Sequence, residues 1–176
     1  MILGAVLAGG KATRFGSDKA LAELDGRSLL ARSVDTLSGW CEHVIVTGRS
    51  VAPAPTLPDW PRSDMGPLAG LAAALHHARA EDYEAVLSCG VDTPDLPEGL
   101  PRLLGPGPAC LASQPVIGLW PVALIEVIEP LLLDVSQKHS MYRFAELSGA
   151  RLVEVESPPA NINHQADLEA FEGKSG

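Results

Sequence analysis

Gly9 and Gly10 close an apolar run made by Ile2, Leu3, Ala5, Val6 and Leu7, and the cations Lys11, Arg14 and Lys19 follow directly. Glycine lets backbone N–H groups approach an anion with no Cβ in the way, and nearby cations offset phosphate charge. The chemistry implied is a cradle for a polyphosphate. Taken alone, Gly9-Gly10 also reads as an ordinary turn after a strand. Two other phosphate loops do not fit. A P-loop needs a second glycine followed by Lys-Ser or Lys-Thr, whereas Gly16 precedes Ser17-Asp18, and no G-x-G-x-x-G fingerprint is present.

Asp92 lies just beyond a second apolar run, Ala85–Cys89. Carboxylates at the carboxyl ends of strands in open α/β sheets stand where ligands bind. Local sequence alone favours a turn or cap aspartate ahead of Thr93-Pro94. Beside a phosphate loop, a magnesium ligand becomes the preferred reading, because Mg²⁺ takes one or two carboxylates and completes its shell with phosphate oxygens. His43, His76, His77, His139 and His164 have no metal-ligand spacing, and neither G-x-S-x-G nor H-E-x-x-H occurs. Cys41, Cys89 and Cys110 are odd in number and unrelated in spacing, as expected of reduced, buried thiols.

These groups need a scaffold. Apolar runs predict buried strands at 2–7, 43–47, 85–89, 115–120 and 151–155, alternating with segments of helical spacing. That alternation predicts an α/β class: a three-layer α/β/α arrangement around a mostly parallel sheet. Ser28 is placed to cap a helix carrying Leu29, Leu30, Val34 and Leu37 that ends near Gly39. After Gly66-Pro67, the positions Leu68, Leu71, Ala72, Leu75 and Ala78 share one helical face, with proline in the first turn, where its missing N–H costs nothing. Gly66 and Gly70 read either as small residues for close packing or as points where backbone closely approaches a ligand; the second is preferred. Further helices are predicted at 123–133, 141–148 and 165–171, and the proline-rich stretch 51–62 is a stiffened loop.

One domain spanning 1–176 is expected at this length. The net charge of −9 and a pI near 4.9 disfavour nucleic acid and anionic membranes. A small anionic substrate is still admissible, since the global field is screened beyond about 8 Å at physiological salt. The longest mainly apolar run, 122–135, is interrupted by Glu126, Glu129, Pro130 and Asp134, and the amino terminus lacks a basic leader. A cytoplasmic protein, monomer or small homo-oligomer, is expected. Trp40, Trp60 and Trp120 are scattered and read as core or loop supports, with no stacking platform for nucleic acid.

The stretch Leu7-Ala8-Gly9-Gly10-x-x-x-Arg14-Phe15-Gly16-x-Asp18-Lys19-Ala20-Leu21 resembles the opening of nucleotidyltransferases with the glycosyltransferase-A-like fold, and within them the molybdenum cofactor guanylyltransferases. Gly66-Pro67-Leu68-Ala69-Gly70, Asp92-Thr93-Pro94 and Asn161-Ile162-Asn163 are similar to later motifs of that family, in the same order. The resemblance implies Mg²⁺-dependent transfer of GMP from GTP to molybdopterin or molybdenum cofactor, with release of pyrophosphate. Arg14 and Lys19 would neutralise the triphosphate, with Lys11 a weaker candidate, and Asp92 would hold the metal. Leu7, Ala8, Gly9, Gly10 and Gly66 would approach the nucleotide, Asp59 would contact the base with Asp64 as its rival, and Asn161 and Asn163 would face the acceptor.

Two alternatives stay open at this level: a cytidylyltransferase or relative with another phosphate acceptor, and a catalytically idle nucleotide-binding module. The chain also departs from the family pattern. Thr47-Gly48 stands where asparagine is common, and Ala112-Ser113-Gln114-Pro115 replaces a more polar approach to the fourth predicted strand. The short span from Leu104 to Pro115 raises the expectation of an omitted loop, which a break in the backbone between Leu111 and Pro115 would reveal.

Overall fold

The computed structural model describes residues 1–9, 18–156, 159–162 and 165–175. The sequence readings that fall on Gly10, Lys11, Arg14 and Asn163 lie outside them.

In chain order the strands and helices are β1 (Ile2–Leu7), β2 (Glu23–Leu24), β3 (Arg27–Ser28), α1 (Leu29–Ser38), β4 (His43–Thr47), β5 (Thr56–Leu57) and α2 (Pro67–Ala80). They continue with β6 (Ala85–Cys89), α3 (Leu100–Leu104), β7 (Ala109–Leu111), β8 (Gly118–Pro121), α4 (Ile125–Leu133), α5 (Met141–Ser148), β9 (Arg151–Val153) and α6 (Gln165–Ser175). Seven strands form the main sheet in the order β5-β4-β1-β6-β8-β7-β9, and β2 and β3 form a small separate hairpin. Among the described strands of the main sheet, β8 alone runs against the rest. Its reversal follows from chain length: the short link from β7 allows only a hairpin return, whereas parallel neighbours need a long crossover.

Alternation along each strand sends side chains to two cores. Val6, Val46, Leu87 and Leu119 face the layer made by α1, α3 and α6, while Leu3, Ala5, Ile45, Val86 and Trp120 face α2, α4 and α5. A sheet covered on both faces explains why β1, β4 and β6 read as nearly continuous apolar runs. Caps fix where the helices begin. Ser28 Oγ accepts from Ala31 N at 3.0 Å to start α1, and Ser140 Oγ accepts from Arg143 N at 3.1 Å to start α5. Gly66 precedes α2 with φ of 78°, a conformation that favours glycine, and Pro67 occupies the first turn.

The structure corrects several boundaries. The strand expected over 115–120 begins only at Gly118, because Ile117 N is committed to a turn with Gln114 O at 2.9 Å. The strand expected to reach 155 stops at Val153, whose carbonyl accepts from Ala112 N. The helix expected over 123–133 opens with a 3-10 turn, Val122–Leu124, and the last helix runs on to Ser175. The span from Leu104 to Pro115 contains β7 and a tight hydrogen-bonded turn, with Gln114 N donating to Leu111 O at 3.2 Å, and the backbone runs unbroken from Leu111 to Pro115.

Candidate active site

Three parallel strands end side by side, and the chain leaves each of them through glycine: Gly9 after β1, Gly48 after β4 and Gly90 after β6. Ala8 N donates to Thr47 O at 3.0 Å, which extends the pairing of β1 and β4 one residue beyond the strands. A cleft of about 260 Å³ opens at these ends, lined by Leu7, Ala8 and Gly9 on one side and by Gly90, Val91 and Asp92 on the other. Lys19 and Pro67 also face it. Strand-tip backbone, an ammonium and a carboxylate therefore share one concavity, the place where ligands bind in open α/β sheets.

Lys19 reaches the cleft from a 3-10 turn, Lys19–Leu21, whose first amides are held by Asp18: Ala20 N donates to Asp18 Oδ1 at 3.2 Å. Arg49, just past β4, grips the same carboxylate with both prongs, Nη1 to Oδ1 at 2.9 Å and Nη2 to Oδ2 at 2.6 Å. Hydrogen bonding from Arg49 is the main reason the Asp18 carboxyl is held below its ordinary range. Sequence reading missed Arg49, because nothing local connects it to a partner 31 residues earlier.

Asp92 is half-buried on the loop after β6, and its carbonyl accepts from Ile162 N at 2.6 Å. Its Oδ1 lies 3.0 Å from the point where a Cβ on Gly90 would stand, so glycine leaves the carboxylate its position. Among the described residues, no three His, Cys, Asp or Glu side chains cluster as a metal cage. A lone carboxylate of this kind suits a hard divalent ion that takes its remaining ligands from phosphate and water, and Asp92 meets that requirement.

Asp59 is wedged among three glycines. Its carboxylate oxygens lie 3.1 Å from a Cβ built on Gly9 and 3.3 Å from those on Gly48 and Gly70. Burial, reinforced by the negative charge of Asp64, pushes the Asp59 carboxyl above its ordinary value. Asp59 Oδ1 is buried and accepts no hydrogen bond from a described residue, and the same holds for Thr47 Oγ1 beside Gly70. Its rival Asp64 is exposed on the loop before α2, with φ of 63°. Asp59 also borders a wider hollow of about 670 Å³ with Arg49 and Arg62.

Asn161 is exposed and borders a neighbouring hollow with Asp95 and Ile162, so it stands beside the Asp92 cleft without lining it. Gly66 heads α2 with open space where a Cβ would be. None of the cysteines offers a ready nucleophile: burial pushes the Cys41 thiol up to about 12 and Cys110 to about 11, and Cys89 also rises.

The family model for the MobA-like NTP transferase domain matches residues 4–153. A molybdenum cofactor guanylyltransferase of Acidiphilium cryptum is 38% identical over 95% of this chain and 92% of its own length. That of Rhodobacter capsulatus is 36% identical over 98% of this chain and 96% of its own. Among solved structures, the molybdopterin-guanine dinucleotide biosynthesis protein A of Archaeoglobus fulgidus superposes with a TM-score of 0.78 at 17% identity, covering 99% of this chain and 98% of that one, a likeness of fold. This chain belongs to the MobA-like NTP transferase family, and is a nucleotidyltransferase.

Proposed function

We propose that the protein transfers GMP from GTP to molybdopterin or its molybdenum-loaded form. A phosphate oxygen of the acceptor forms a new bond to the α-phosphorus, and the bond from that phosphorus to the pyrophosphate oxygen breaks. Pyrophosphate leaves with the electron pair. A reaction of this type asks for alignment and charge neutralisation, so no covalent nucleophile is needed. The observation that carries the reading is the common cleft of Lys19, Asp92 and the Leu7, Ala8 and Gly9 backbone.

In this reading Lys19 and Arg14 balance the charge of the triphosphate and of departing pyrophosphate, with Lys11 at the rim. Asp92 holds Mg²⁺, which when bound lowers the charge on the phosphate oxygens. Backbone from Leu7 to Gly10, with Gly66 at the head of α2, lies along the nucleotide, and Asn161 and Asn163 serve the acceptor side. Asp59 takes the base. Its buried acceptor oxygen wants a donor, and guanine offers adjacent N–H groups along one edge, whereas the corresponding edge of cytosine has one amino group beside acceptors. The whole chain acts as one domain in the cytoplasm, as a monomer or small homo-oligomer, with neither nucleic acid nor membrane as partner.

The test is pyrophosphate release from a panel of GTP, CTP, ATP and UTP with molybdopterin and Mg²⁺. GTP-selective release that Asp92→Ala abolishes, with the circular dichroism spectrum unchanged, is expected. GTP binding with no pyrophosphate release would point to an idle binding module, and CTP preference to a cytidylyltransferase.

A further inference from the structure

A buried polar network lies behind Asp92, and of its members the chemistry assigned above uses only Asn161, at its exposed end. Thr93, the residue after Asp92, is buried, and its Oγ1 donates to Gln114 Oε1 at 2.8 Å and lies 3.2 Å from Asn161 Oδ1. The other end of the Gln114 amide, Nε2, donates to the Pro159 carbonyl at 2.6 Å. Gln114 is itself 8% exposed and sits in the turn between β7 and β8, where its own backbone accepts from Ile117 N and donates to Leu111 O. One side chain thus joins three separate pieces of chain: the hairpin turn, the loop that carries Asp92, and the segment that carries Asn161.

The residue type is dictated by this double duty. Glutamate accepts from Thr93 but has no hydrogen for Pro159; leucine fills a similar volume and does neither; asparagine has both groups on a shorter stem. Burying such a network is costly unless each member is satisfied, and satisfied networks rigidify what they join. What is joined here is the backbone of Asp92, fixed from one side by Ile162 N and from the other through Thr93.

We propose that Gln114 is a positioning residue for Asp92: it holds the metal-binding carboxylate in register with the cleft and ties that position to the 159–162 segment. This rests on the reading of Asp92 given above. Partners that orient a metal ligand typically change affinity by about 10- to 100-fold when removed, so Gln114, which touches neither nucleotide nor metal in this reading, is expected to act on metal affinity before it acts on nucleotide binding.

The experiment uses the full chain with Mn²⁺ as probe. Water-proton relaxation gives Mn²⁺ affinity in the presence of GTP and absence of acceptor, isothermal titration gives GTP affinity without metal, and pyrophosphate release gives kcat and KM. For Gln114→Leu we expect Mn²⁺ affinity to fall about 10- to 100-fold, kcat to fall with it, and metal-free GTP affinity to stay within about 2-fold. Thr93→Val repeats the effect without touching Gln114 and serves if Gln114→Leu does not fold, while Thr93→Ser, which keeps the hydroxyl, restores it. Unchanged Mn²⁺ affinity in both Gln114→Leu and Thr93→Val overturns the proposal, as does an equal loss of metal-free GTP binding, which marks a general structural role. A wild-type chain whose GTP complex binds no Mn²⁺ strikes the assignment of Asp92 itself, and with it this inference.

Discussion

Arg49 and Asp18 meet as a two-pronged ion pair, 2.9 and 2.6 Å, that joins the end of β4 to the turn presenting Lys19. The pair is local in space and remote in sequence, and it constrains an ammonium that faces the cleft. Loss of the guanidinium should therefore be felt by the nucleotide as well as by the fold.

For Arg49→Ala, the stability term has a defined sign. The Asp18 carboxyl is lowered in the folded state, mainly by Arg49, so the pair stabilises above the unfolded carboxylate value of about 3.9 and its contribution is lost as pH falls through the lower folded value. Asp18 is 43% exposed, which limits the contribution to about 1 kcal/mol or less. Melting curves from pH 7 down to pH 3 should show wild type and variant converging at the acid end. A gap that does not change with pH would contradict the role given to this pair.

Gly48→Ala should destabilise the fold. Its φ of 82° is already unfavourable for an L side chain, and the new Cβ would meet the backbone of Gly9, which has no flexible end to move aside. A loss of about 1–3 kcal/mol in denaturant unfolding is expected.

Gly90→Ala should separate stability from function. Here the atom in the way is the end of the Asp92 side chain, which can swing, so the melting temperature should stay close to wild type. The displaced carboxylate should nevertheless reduce kcat for pyrophosphate release by about 100-fold, the scale set by a 1 Å misplacement. A variant that turns over normally would show that the carboxylate does not need its present position.

Asp59→Asn should trade selectivity for stability. Burial raises the Asp59 carboxyl in the folded state, so its contribution is fully present below the unfolded value of about 3.9 and is lost as pH rises through the higher folded value. Asparagine has no such loss, and the stability of the variant relative to wild type should increase as pH rises from 3 towards neutrality. At the same time KM for GTP should rise about 10- to 100-fold, the scale of a charge-assisted hydrogen bond removed from a buried site, with CTP affected much less. Equal effects on both nucleotides would favour Asp64 or backbone groups as the determinants of base choice.

The layered architecture was legible because β1, β4 and β6 are buried on both faces and so read as unbroken apolar runs. Helix α1 was legible through Ser28, whose hydroxyl caps it; α5 was placed at 141–148 without its cap, which the structure shows to be Ser140. β7 was not legible: three residues hemmed in by Pro106 and Pro108 carry too little periodicity to register. At the site, Lys19 and Asp92 could be singled out because each stands beside a recognisable punctuation of the chain, a glycine turn or a strand end. The wedging of Asp59 among Gly9, Gly48 and Gly70, and the roles of Arg49 and Gln114, depend on contacts between segments far apart in sequence, where no local pattern foretells them.

The reversed strand has a further effect on this end of the molecule. Since β8 runs opposite to β6, its amino-terminal approach arrives where β1 and β6 finish, and Val116 faces the cleft from a short hairpin. A longer connection at that border would leave it free to swing. Instead, Val116 O and Gly118 O both lie within reach of Ser88 Oγ inside β6, at 2.7 and 3.5 Å. The cleft thus has a fixed rim on that flank, stitched to the strand whose tip bears Asp92.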